Sequence, residues 1–225
     1  MKYWYFAVLS IAFTLALILA EGKRKMTAAL IFKALASASF VALGVFSFRM
    51  SSDRGKAVFL LLGLIFGAVG DVLLNVCHLV HESPQIFFIG GMSFFIGHIM
   101  YLFVLVPAAV PYVVPAVIAG VGVAVLLLIF LHRKQNADRI LFLESVAYMI
   151  TVSLMASFAV FGFFAKTGDP AGILRALGGV LFLVSDTMLF CRMIRKEKAP
   201  AALGALLLIA YYPAQCLIAF SMQFM

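Results

Sequence analysis

The sequence predicts an all-α fold: a polytopic membrane helical bundle of eight transmembrane helices, forming a single integral membrane domain over residues 1–225. Three observations predict it. Of 225 residues, 65% are hydrophobic and only 12% charged, with a mean hydropathy of +1.16; soluble domains are roughly half apolar and a quarter charged. The apolar residues fall into runs of about 20, the length that crosses a hydrocarbon core. Short charged connectors separate the runs and leave no room for a soluble domain.

The first span, Tyr3 to Ala20, follows Met1-Lys2 and has the look of a signal peptide. Ala20 is followed by Glu21-Gly22-Lys23-Arg24-Lys25 rather than by a small-residue cleavage site, so the span is expected to be a retained helix. The others are Met26 to Phe48, Ala57 to Val80, Gln85 to Val106, Tyr112 to Leu131, Ile140 to Ala165, Ala171 to Met193 and Ala201 to Met222. Alternation of sides then sorts the cations. Lys23, Arg24, Lys25, Arg133, Lys134, Arg139, Arg192, Arg195, Lys196 and Lys198 share one side, against Lys2, Arg49, Arg54, Lys56, Lys166 and Arg175 on the other. Ten against six favours the first side as cytoplasmic, with both termini outside.

The net charge of +8 thus sits in connectors, where it serves topology and contact with anionic membrane lipids. No nucleic-acid partner is expected. Cys77, Cys191 and Cys216 are scattered without CxxC spacing and support neither a disulfide framework nor a thiolate metal site. Nothing in the composition fixes an oligomeric state.

Two spans carry a bare carboxylate beside a small residue, in Val69-Gly70-Asp71-Val72-Leu73-Leu74 and Val184-Ser185-Asp186-Thr187-Met188-Leu189. An acid near the middle of a membrane helix costs roughly 2.5 to 3.5 kcal/mol on insertion, so it normally faces the bundle interior and has a function. Both helices run towards the basic side, and Asp71 lies about nine and Asp186 about seven residues before the span end, roughly 10 to 14 Å. Helices two, four, six and eight run the other way. Lys33, Glu144 and Tyr148 fall in the first half of theirs, and His98, Tyr211, Tyr212 and Gln215 near the middle. Polar side chains therefore converge on one level.

Residues three, four and seven apart share a helix face. Gly63, Gly67, Asp71, Asn75 and His78 form one stripe, and Gly91, Phe94, His98 and Tyr101 a second. Glu144, Tyr148, Thr151 and Met155 form a third, and Arg175, Gly179, Phe182 and Asp186 a fourth. The small residues let backbones approach closely, the usual packing device in lipid. A pocket lined by helices two, three, four, six, seven and eight is expected, with the almost purely apolar helices one and five at the periphery. The repeated V-[GS]-D-x-x-L on helices four apart is what a four-plus-four duplication would leave.

Plainer readings compete. The aspartates could form a buried hydrogen-bonded pair, or each be satisfied by Lys33 and a tyrosine; the cost of a membrane carboxylate favours function. Lys33 could snorkel, and His98 could be a neutral structural histidine. His78 and His81 suit an interface, and Glu144 a local ion pair with Arg139. Tyr211-Tyr212 sit too deep for the interfacial aromatic belt, and Gln215, one turn on, suits a hydrogen-bonding role.

Several pieces together resemble the YhhN family of membrane proteins, which includes the mammalian transmembrane protein 86 lysoplasmalogenases. They are Lys33-Ala34-Leu35, Ala68-Val69-Gly70-Asp71, Gly97-His98-Ile99-Met100-Tyr101, Ala147-Tyr148, Leu183-Val184-Ser185-Asp186 and Tyr211-Tyr212-Pro213-Ala214-Gln215. Their order and spacing carry the resemblance, since no single piece is specific. One departure is that Ala34, Leu35 and Ala36 stand where family members often place a proline.

The resemblance implies hydrolysis of the vinyl ether bond of lysoplasmalogen, a lysophospholipid substrate, to a fatty aldehyde and glycerophosphoethanolamine or glycerophosphocholine, with no cofactor. Protonation of the alkenyl carbon beta to oxygen gives an oxocarbenium ion that water captures. Two carboxyls in different states, one neutral and one ionised, suit this as they suit glycosidases. Asp71 and Asp186 are then the expected catalytic pair, and Lys33, Asn75, His98, Tyr148, Tyr211, Tyr212 and Gln215 the expected substrate-binding residues. His98 and Tyr148 would bond the reacting water or glycerol oxygens; Lys33 and Tyr212 would orient a carboxylate or meet the phosphate. Two alternatives differ in class. One is a metal-dependent membrane hydrolase using His98, Asp71, Asp186 and His78, although no HxxxH spacing supports it; the other is a proton-coupled transporter. Short connectors and the lack of a long tail favour a bacterial plasma membrane.

Overall fold

A computed structural model describes residues 3–79, 83–132, 139–193 and 200–225; the side chains of 78, 79, 131, 132, 139–144 and 193 also lie outside the described set. His78, His81 and the Glu144–Arg139 pair are therefore outside the described residues. Among those described there are eight long helices and no strand: α1 Tyr5–Gly22, α2 Met26–Met50, α3 Arg54–Leu79, α4 Pro84–Ala108, α5 Val113–His132, α6 Arg139–Ala165, α7 Pro170–Met193 and α8 Ala201–Ser221. Each is long and apolar enough to cross a membrane, and each expected span is matched to within about three residues, the usual uncertainty of a boundary. The chain is an integral, multi-pass membrane protein.

Local chemistry sets the ends. Pro84 and Pro170 open α4 and α7, at the position where a missing N–H costs nothing and a fixed φ already suits a helix. Asp53 caps α3: its Oδ1 accepts the Lys56 N–H at 3.0 Å and its Oδ2 pairs with Lys56 Nζ at 2.7 Å. The hydrogen bonds from Lys56 hold this exposed carboxyl below its ordinary range. The turn before α7 bends through Gly168 at φ +89°, a conformation that glycine adopts without strain. Pro107 lies in the last turn of α4, which ends at Ala108, and Pro213 lies inside α8 without ending it.

Seven helices close a ring in the order α1, α2, α3, α4, α6, α7, α8, with α8 leaning inward to reach α2 and α3 as well. α5 lies outside, packed mainly on α6. The share of each span buried in the protein follows this plan, 56% for α8 against 22% for α1 and 17% for α5. The peripheral placement expected of helices one and five is observed, although α1 also seals the ring between α2 and α8.

The closest helix pair is α3 with α4, and its contact is made by glycine. Gly63 has no room for a Cβ because the Tyr101 ring lies over it, and a Cβ on Gly97 would sit 3.1 Å from the Gly63 carbonyl oxygen. This is small-residue packing as lipid-embedded helices use it. It fixes the height of His98 and Tyr101 on α4 against Asp71 on α3.

Candidate functional site

The inward face of α3 carries Gly63, Gly67, Asp71 and Asn75, all buried. Asp71 is 2% exposed and is held from three sides. Ser37 Oγ on α2 donates to Oδ2 at 2.6 Å, Tyr211 Oη on α8 donates to the same oxygen at 2.9 Å, and Lys33 Nζ lies 3.7 Å from Oδ1. Behind Tyr211 the bonds continue in one direction. Gln215 Nε2 donates to Tyr211 Oη at 3.1 Å, and Tyr101 Oη donates to Gln215 Oε1 at 2.7 Å. Each hydrogen in this chain points towards Asp71 Oδ2, which accepts from both hydroxyls, while the Lys33 ammonium stands beside Oδ1.

Asp186, 4% exposed, has a different set. Tyr148 Oη on α6 donates to Oδ2 at 2.8 Å, and His98 Nε2 on α4 stands 3.6 Å from the same oxygen. His98 Nδ1 is 2.7 Å from the Phe94 carbonyl; a carbonyl accepts only, so Nδ1 carries the hydrogen. Nε2 is left buried without a hydrogen-bond partner. In the neutral ring it presents a lone pair towards Asp186. The two carboxylate groups are joined by rings rather than by a direct bond: Phe182 meets His98 at 4.7 Å and Tyr211 at 5.4 Å, both edge to face.

A cavity of about 540 Å³ opens beside this cluster. Lys33, Asn75 and Tyr148 give it a polar side, and Phe87, Phe88, Met92, Phe94 and Leu207 an apolar one. The lining contains the partner of each carboxylate, Lys33 for Asp71 and Tyr148 for Asp186, with the acids behind them. Asn75 is 4% exposed, and its Oδ1 is buried without a partner. Buried acceptors are nearly always paired in folded proteins, so this one marks a place for a donor from a ligand or water.

The structure brings Asp71, Asp186, Lys33, Asn75, His98, Tyr148, Tyr211 and Gln215 together. Tyr212 is fully buried behind the cavity lining against Phe40 and Tyr211, and its hydroxyl, a long 3.5 Å from the Lys33 carbonyl, also bonds the Ser37 side chain. Neighbours on a helix point about 100° apart, so one tyrosine of the pair can face Asp71, and that one is Tyr211. Ser37 and Tyr101 belong to the cluster but were not among the expected site residues. Glu21 of α1 also lines the cavity, which corrects the expectation that only helices two, three, four, six, seven and eight would do so. Among the described residues no three His, Cys, Asp or Glu side chains gather as a metal site.

The fold and the site define the class: a polytopic membrane helix bundle that buries two unlike carboxylates beside an amphipathic cavity. The chain belongs to the YhhN family, whose model matches residues 28–222, a stretch that includes both aspartates. This membership is consistent with a membrane hydrolase. No curated protein and no solved structure matches the chain.

Proposed function

We propose that the protein is a lysoplasmalogenase that cleaves the vinyl ether of lysoplasmalogen to a fatty aldehyde and a glycerophospho-head group. The observation that carries the reading is the inequality of the two acids. Asp71 has a cation and two hydroxyl donors, and among the described residues Asp186 has a hydroxyl and a histidine nitrogen that accepts. Such a pair holds one charge and one proton, the two states that acid catalysis of ether cleavage requires.

In this reading neutral Asp186 gives its proton to the Tyr148 oxygen as the Tyr148 hydroxyl, turned from Asp186 to the cavity, gives its own to the alkenyl carbon beta to oxygen. Asp71, ionised beside Lys33, stabilises the oxocarbenium ion and takes the proton of the water that attacks it; that proton passes back through cavity water to Asp186 before the next turnover. The resulting hemiacetal passes its hydroxyl proton to the glycerol oxygen as the carbon–oxygen bond breaks, releasing aldehyde and alcohol. Asn75 Oδ1 accepts the free glycerol hydroxyl, a donor that a lysolipid has and a fully acylated lipid lacks. His98 and Gln215 hold Asp186 and Tyr211 in place. The excess of connector cations on one side supports a topology with both termini outside.

The test is aldehyde release from a choline or ethanolamine lysoplasmalogen by purified protein in detergent. Release by the wild type, lost in Asp71→Asn and Asp186→Asn, is the expected result. Absence of aldehyde from any vinyl ether lipid would overturn the reading.

A further inference from the structure

Glu21 and Arg192 take no part in the carboxylate cluster, yet both line the cavity at the end where α1 and α7 finish. They converge over one bare stretch of α8: a Cβ on Gly204 would lie 3.0 Å from Arg192 Nη1 and 4.0 Å from Glu21 Oε2. Opposite charges so near one another usually pair. Among the described residues neither is in an ion pair. An anion and a cation set side by side at a cavity mouth, and not joined, suit a ligand that carries both signs itself. The same lining is apolar at Phe88 and Met92, which are 45% and 37% exposed, and its polar side holds the more buried Lys33 and Asn75. Charges of both signs and an exposed apolar wall in one cavity match the parts of an amphiphile.

We propose that Glu21 and Arg192 form a head-group clamp that reads a dipolar phosphate–ammonium group at the cavity mouth. The Arg192 guanidinium donates to the phosphate oxygens, and the Glu21 carboxylate accepts N–H from a primary ammonium. The inference rests on the lysolipid reading above and adds to it the residues that select the head group. A phosphoglycerol head brings the same phosphate without a cation, so it places a hydroxyl where Glu21 expects a positive charge. A free dipolar phosphate ester satisfies both charges but leaves the apolar wall in contact with water, so the lipid is the favoured source.

The test measures equilibrium binding of saturated 1-O-alkyl lysolipids, which have no vinyl ether to cleave, to the full chain in detergent by calorimetry. The wild type should prefer a phosphoethanolamine head to a phosphoglycerol head by about tenfold, the size of one charge-assisted hydrogen bond. Glu21→Gln should erase that preference, and Arg192→Gln should weaken both lipids about tenfold, as loss of a shared phosphate contact requires. Equal wild-type affinity for the two heads overturns the clamp and needs no variant to fold. A preference that survives Glu21→Gln overturns it as well, and free glycerophosphoethanolamine binding as tightly as the lipid overturns the lipid source. Aldehyde release is measured in parallel: cleavage without head-group preference sinks the clamp alone, and head-group preference without cleavage sinks the hydrolase reading and keeps the clamp.

Discussion

Asp71 and Asp186 sit in two surroundings built to one plan. Each acid is met from the helix before its own and from the last helix of the opposite half. For Asp71 these are Lys33 and Ser37 on α2 and Tyr211 on α8; for Asp186 they are Tyr148 on α6 and His98 on α4. The spacing repeats as well, since Tyr148 precedes Asp186 by 38 residues and Lys33 precedes Asp71 by the same interval. What differs is charge. At equivalent positions one half carries an ammonium and the other a phenol, so the first acid has a cation beside it and the second, among the described residues, has none. The repeated V-[GS]-D-x-x-L falls at the same place in each frame, and the Lys33–Tyr148 difference is what sets the two halves apart.

The largest effects should come from the acids themselves. Asp71→Asn and Asp186→Asn should each lower aldehyde release by about 10³-fold, within the usual range for a catalytic acid or base. Their stabilities should diverge. Removing the Asp71 charge strands Lys33, 15% exposed, at about 3 kcal/mol, the low end for a broken buried pair. Asp186→Asn leaves no stranded cation and should cost about 1 kcal/mol, one hydrogen bond's worth. Melting curves in detergent check the order: Asp71→Asn below Asp186→Asn below wild type. The reverse order would mean that the counter-ion does not distinguish the halves.

Next come the residues that make the halves unlike. Lys33→Met leaves both acids without a cation, and Tyr148→Phe cuts the path from Asp186 to the cavity. Each should lower kcat by about 10²-fold, the lower end of general acid–base contributions. A Tyr148→Phe enzyme within twofold of wild type would show that the Asp186 proton takes another route.

Much of this was legible in the sequence because a carboxylate in an apolar span stands out whatever surrounds it. Lys33, His98 and Tyr148 follow by the same logic, and glycine spacing on α3 marked the face that meets α4. Ser37 was not legible. Hydroxyls in membrane helices usually return to the carbonyl four residues back, as Thr14 and Ser39 do here, and nothing in the local pattern singles out the one that reaches across. The choice between Tyr211 and Tyr212 depends on the rotation of α8, which an evenly apolar helix does not encode. Glu21 and Arg192 lie at span ends, where charges serve topology in any membrane protein, so only their convergence over Gly204 separates them from the rest.

A smaller loss is expected from Tyr211→Phe. Asp71 keeps Ser37 and Lys33, so kcat should fall about tenfold, one hydrogen bond to a charged group; a loss as large as that of Tyr148→Phe would place the relay on the Asp71 side instead.

The smallest effect should come from chelation, and it bears most directly on whether the two acids act alike. A shared metal ion would make Asp71 and Asp186 equivalent ligands, and their neighbours argue otherwise. The Lys33 ammonium already occupies the approach to Asp71 Oδ1, and a cation cannot displace it without burying two like charges together. His98 can offer only Nε2, because Nδ1 is committed to the Phe94 carbonyl, and among the described residues no third ligand stands near. Dialysis against a strong chelator should therefore leave aldehyde release unchanged. Activity lost on chelation and restored by zinc would join the two halves through one ion and end the division between an ionised and a proton-bearing acid.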